Sequence, residues 1–208
     1  MAEFLENIEI FGASNPTELR IKNTKSIYSE SFYFEDIYSD ARVKRFIKSV
    51  ERLVRNSEEY TEYLAYLHSS SDYFNRDNFL SNINDEVASI ELHHYPFTLY
   101  EISEIVLNKN IMDNKKVTTF DVAKEIMDLH AKNLIGLIPL SITVHELAHT
   151  GRLNIHKDQI FGDYSTFMSI YNKAISADLK HKVDKMESQE GFNLNIKTFL
   201  QDGDHGDS

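Results

Sequence analysis

Apolar residues recur every three to four positions from Val43 through Phe46, Ile47, Val50 and Leu53 to Val54, the repeat of one helix face. Ser39 or Asp40 can cap the start of this helix, and Tyr60, Tyr63, Leu64 and Leu67 prolong the stripe, so one long helix is expected. Residues 87–95, Val87 to Tyr95, read as a strand that Pro96 closes. Thr98-Leu99-Tyr100-Glu101 has the spacing of a capping box and opens a helix with Leu99, Ile102, Ile105 and Val106 on one face. After a polar break around Asn108–Lys116, a second helix runs from Thr118 or Thr119 to about Lys132. The apolar run from Leu134 to Leu140, containing Gly136 and Pro139, is expected to be a short strand. Thr143-Val144-His145-Glu146 reads as another capping box, opening a short helix that Gly151 can end. Residues 164–186 read as one helix with Phe167, Ile170, Tyr171, Ala174 and Ile175 as its core face, Phe192–Leu200 as a last strand, and 201–208 as an acidic tail. The expected class is α+β, mostly helical.

Composition narrows the chemistry. The 208 residues include no cysteine, which excludes disulfide scaffolds and Cys-ligated metal sites, and nine histidines, so a transition metal here would rest on imidazole and carboxylate. The net charge of −11 opposes general nucleic-acid affinity, since like charges repel at long range. One local exception stands out. Arg42, Lys44, Arg45, Lys48, Arg52 and Arg55 crowd the first predicted helix against a single acid, Glu51. This reads as a solvated face over a core stripe or as a surface for nucleic-acid phosphates or an acidic partner. Residues 28–40, aromatic and acidic, fit either a partner surface or a core strand. No stretch approaches the roughly 20 apolar residues of a membrane span, and the acidic start Met1-Ala2-Glu3-Phe4 lacks a signal peptide's basic region. The expectation is a soluble cytoplasmic protein with no membrane partner.

The histidines fall into two groups: Glu91-Leu92-His93-His94 on a strand, and His145 with His149 on a helix. The i,i+4 spacing sets two imidazoles on one helix face, about 5–6 Å apart at Cβ, suited to a shared metal. Neighbouring strand residues face opposite sides. One of His93 and His94 can therefore join that metal while the other stays free to act as a base. Three imidazoles would leave open positions for water or a phosphate oxygen.

Glu91-Leu92-His93-His94 followed by a strand and His145-x-x-x-His149 resembles the ββα-metal motif of HNH endonucleases. It is closest to the His-rich variant of the nuclease colicins. Ile138-Pro139-Leu140 before the helix and Thr150-Gly151 after it resemble HNH proteins of phage genomes. The resemblance covers about residues 87–97 and 134–153. It implies DNA phosphodiester hydrolysis, with His94 as general base and His93, His145 and His149 holding one divalent metal (Zn, Ni, Mn or Mg), three imidazoles favouring Zn or Ni over Mg. Glu91 would orient a ligand imidazole. The implied organisation is a helical N-terminal region at 1–80 that covers the unit or recruits a protein partner, an HNH-like domain with a helical insertion at 81–160, and a C-terminal region at 161–208. The setting would be a bacterial or phage-infected host cell. Two departures from the family pattern are visible. Fifty residues separate His94 from His145, enough for two helices. The Asn that usually braces the base near the second strand is also missing: Gly136 stands there, with Asn133 nearest.

His145-Glu146-Leu147-Ala148-His149 also matches H-E-x-x-H, the zinc metalloprotease pattern with Glu146 as base. Pro139 and the predicted strand leave only a short helix for it, and the third ligand would come from His156, Glu187 or Glu190. A binding-only derivative of the HNH unit is the remaining alternative.

Overall fold

The computed structural model describes residues 31–32, 40–150 and 152–188. Among these, seven α-helices and four short strands form a mostly helical α+β protein. Helix α1 (Asp40–Asn56) buries Phe46, Ile47, Val50, Leu53 and Val54, the stripe expected from the sequence. It does not run on to Leu67. Ser57 leaves the helical region at φ −73° and ψ 148°, and its side chain accepts the amide of Tyr60, starting α2 (Glu58–Ser70). A buried serine cap outweighs continuous periodicity here, because it satisfies an amide that the first turn of a new helix leaves open.

Strand β2 (Ile90–His94) leads through the cap at Thr98 into α3 (Leu99–Met112), and β3 (Val117–Thr118) through the cap at Thr118 into α4 (Thr119–Ala131). Both are complete capping boxes, closed by Glu101 and Asp121. Both helices end the same way. Asn114 and Asn133 take φ 54° and 53°, and the amides of Lys115 and Leu134 return to the carbonyls of Asn110 and Leu129. This is the Schellman arrangement, with asparagine in the left-handed position usually held by glycine. Strand β1 (Ser31–Phe32) pairs antiparallel with β3.

Strand β4 (Leu137–Ser141) lies antiparallel to β2, with His93 opposite Ile138 and His94 opposite Leu137. Helix α5 (Ile142–His149) follows at once. The expected box at Thr143 is not there, because the helix starts two residues earlier, with Ser141 as the N-cap residue and no side-chain cap bond. The buried carboxylate of Asp77 holds the junction instead, accepting the amides of Ser141 (2.6 Å), Phe79 (2.7 Å) and Leu80 (2.8 Å). Residues 164–186 form two helices, α6 (Tyr164–Tyr171) and α7 (Ala177–Glu187), the second capped by Ser176, and Ile170 is exposed rather than in the core. The last predicted strand, the tail and most of segment 28–40 lie outside the described residues.

The buried apolar residues form one cluster from Phe46 on α1 to Met186 on α7. Helix α1 packs on α4 and α3, and α5 packs on β4 and β2. The helical insertion α3–β3–α4 thus sits between the two strands in sequence but belongs to the same core. No helix among the described residues is long and apolar enough to cross a membrane.

Candidate active site

The alternation of strand side chains sorts the β2 residues. Glu91 and His93 point towards α5, while Leu92 and His94 point the other way. Helix α5 returns over β2 and presents His145 and His149 from one face. The three ring centroids lie 4.7 Å (His93–His145), 4.8 Å (His93–His149) and 4.5 Å (His145–His149) apart. One nitrogen from each ring lies within 4.8 Å of the others. A tetrahedral ion with metal–nitrogen bonds of about 2.0–2.1 Å needs nitrogens roughly 3.3 Å apart, so modest side-chain rotations would bring this set onto one ion. The donor set fits in a second respect. The carboxylate of Glu91 accepts the Nδ1–H of His145 at 2.5 Å, which leaves Nε2 as that ring's donor to a metal.

Desolvation acts on two of these rings, the buried His93 and the more exposed His149. His93, buried beside two other imidazoles, is pushed down to about 3, with desolvation the largest cause and His145 and His149 adding to it. His149 is lowered in the same sense, chiefly by desolvation. Both are therefore neutral with a free lone pair at neutral pH, the form that binds a metal.

His94 stands apart from the triad. It is buried, stacks on Tyr60 (6.2 Å between centroids, 15° between planes) and meets His130 of α4, Nε2 to Nε2, at 3.0 Å. Desolvation holds it far below the usual histidine value, with His130 the next cause. His130 is fully buried, pushed down to about 4 by desolvation, and its Nδ1 lies 2.8 Å from the Ile126 carbonyl. His130 is not among the residues singled out from the sequence. The signal was present: Val122, Ile126 and His130 repeat at i+4 along the buried face of α4, and a polar ring on a core stripe must find a partner. Asn133, the nearest candidate for the family's brace, is instead the left-handed residue ending α4, and it accepts the Tyr63 hydroxyl at 3.4 Å. Gly136 admits a close approach: a Cβ there would lie 2.0 Å from the Tyr95 carbonyl oxygen.

Both histidine groups open on one cleft of about 370 Å³, lined by His93, His94, His149, Asn154, Lys182 and Lys185 among others. The two lysines come from α7, which the sequence did not single out. Lys182 is tied to Glu101 (3.1 Å), while no ion pair engages Lys185 among the described residues. Of the six basic residues of α1, all exposed, Arg55 is the one whose charge acts on His93, His94 and His149. Arg42, Lys44, Arg45, Lys48 and Arg52 lie farther along the helix, towards its start.

The model of the bacteriophage G278-like virion proteins matches residues 3–199. The chain belongs to that family. The match includes every histidine of the cleft. No match was found among curated proteins or among solved structures.

Proposed function

We propose that this virion-family protein carries a one-metal nuclease centre of the HNH type, a ββα-metal unit made by β2, β4 and α5, that hydrolyses DNA phosphodiester bonds. The observation that supports it is the division of labour along β2. His93 converges with His145 and His149, while its neighbour His94 stays out of that set and yet opens on the same cleft.

His93, His145 and His149 would hold the metal. Bound there, a divalent cation supplies charge stabilisation to the scissile phosphate and the departing oxygen. Glu91 fixes the His145 ring. His94 takes the proton of the attacking water as the new phosphorus–oxygen bond forms and the bond to the 3′ oxygen breaks. A neutral imidazole suits this role. Lys185 and Arg55 offer positive charge to the phosphates, which matters in a chain of net charge −11.

The protease reading is less well supported. Helix α5 has only eight residues, and among the described residues the third imidazole beside His145 and His149 comes from β2; Glu190 lies outside the described residues. Nicking of supercoiled plasmid by metal-stripped protein, with Mg, Mn, Ni or Zn restored, tests the proposal. Metal-dependent nicking lost in His94→Ala and kept in Glu146→Gln is the expected result. Casein cleavage lost in Glu146→Gln would overturn it in favour of a protease. Metal binding by folded protein without any strand cleavage would overturn it in favour of a binding-only protein.

A further inference from the structure

The geometry points to His130 as the positioning residue of this centre: it locks His94 in the Nε2–H tautomer and leaves His94 Nδ1 as the atom that takes the proton. This rests on the reading of His94 as the base. The argument begins at the far end of the pair. A carbonyl oxygen can only accept, so the His130 nitrogen facing the Ile126 carbonyl at 2.8 Å, Nδ1, carries a hydrogen. A neutral imidazole has one N–H, and His130, fully buried among Tyr60, Tyr63 and His94, is neutral. Its Nε2 therefore presents a lone pair. The contact of 3.0 Å from that atom to His94 Nε2 can be a hydrogen bond only if His94 donates. His94 then has its hydrogen on Nε2 and its lone pair on Nδ1.

The same arrangement tolerates the change that catalysis demands. When His94 takes a proton at Nδ1, its Nε2–H still donates to His130, so no bond is broken and no ring has to turn. Orientation is also fixed. Tyr60 stacks on His94 and meets His130 edge-on at 5.5 Å, and Tyr63 meets His130 edge-on at 5.4 Å. The ring pair thus does the bracing expected of an asparagine near the second strand, where this chain has Gly136. The long insertion acquires a purpose from this: α4, which carries His130, lies wholly within the segment between β2 and β4.

Two measurements on the full chain test this separately from nuclease activity. The first is the long-range proton–nitrogen NMR spectrum of histidine-labelled, metal-free protein at pH 7.5, with His94 assigned by loss of its signals in His94→Gln. The expected pattern is Nε2–H for His94 and Nδ1–H for His130. An Nδ1–H His94, or a mixture of tautomers, would overturn the inference whether or not the protein cuts DNA. The second compares His130→Phe, which keeps the ring but removes the acceptor, with His130→Gln, which can restore one. His130→Phe is expected to lower kcat for metal-dependent nicking at least tenfold at unchanged KM and unchanged zinc affinity, with His130→Gln recovering most of that loss. Equal effects of the two substitutions, or none, would overturn it. If the wild type showed the expected tautomers and cut nothing, the nuclease reading would fall and the His94–His130 arrangement would stand.

Discussion

Glu91→Ala separates metal binding from folding. Its carboxylate accepts the Nδ1–H of His145 at 2.5 Å, yet the two side chains are 47% and 21% exposed. Solvent screens such a pair, so its worth to the metal-free protein is about 0–1 kcal/mol. Its effect on the metal is larger, because the bond fixes which nitrogen of His145 is the donor and where it points. Loss of an outer partner of a ligating histidine usually weakens binding about 10- to 100-fold, or roughly 1.4–2.7 kcal/mol. Zinc titration calorimetry should therefore show that loss in Glu91→Ala, while urea unfolding of the chelated protein shifts little. Glu91→Gln keeps a neutral acceptor and should fall between. Unchanged zinc affinity in Glu91→Ala, or a fall in metal-free stability as large as the fall in affinity, would refute the assignment of Glu91 as the group that orients His145.

The metal-free protein should lose stability as pH falls below about 6.5. His94 and His130 have folded values below the ordinary 6.5, His130 at about 4. The unfolded chain therefore takes up protons first, and stability present above pH 6.5 is lost between there and about pH 4, about 3 kcal/mol from His130 alone. Urea unfolding at pH 5.5 should show an uptake of roughly two protons or more, and no uptake would contradict the burial of this pair. Asp77→Ala orphans three backbone amides, that of Ser141 at the β4–α5 junction and those of Phe79 and Leu80 in its own turn. It should cost about 3 kcal/mol or more in denaturant unfolding and weaken zinc binding, because α5 carries two of the three imidazoles. Gly136→Ala drives a Cβ to 2.0 Å from the Tyr95 carbonyl. Backbone cannot yield as a side-chain end can, so a loss of about 1–3 kcal/mol is expected in thermal unfolding, and wild-type stability would show that the strands can part there.

What lay in the sequence was mostly local. The caps at Thr98 and Thr118 and the stripe of α1 each depend on residues within a turn or two of one another, and all three are in the structure. The opposite facing of His93 and His94 follows from the two-residue repeat of a strand, and the shared face of His145 and His149 from the helical repeat. Where local signals competed, the sequence was harder to read. Periodicity carried the first helix past Ser57, and Thr143 matched a capping box that the earlier start of α5 left unused. Tertiary structure decided everything that joins distant segments. The pairing of β2 with β4 across the insertion brings His93 to His145 and His149. The packing of α4 and α2 beneath β2 brings His130 and Tyr60 to His94, and Tyr63 to His130. Asp77 reaches Ser141 across 64 positions. Such contacts are chosen by how a whole core closes, and neither composition nor period encodes which buried polar groups will meet. The sequence therefore supplied the chemically able side chains and their faces, and only the folded core determined which of them stand together.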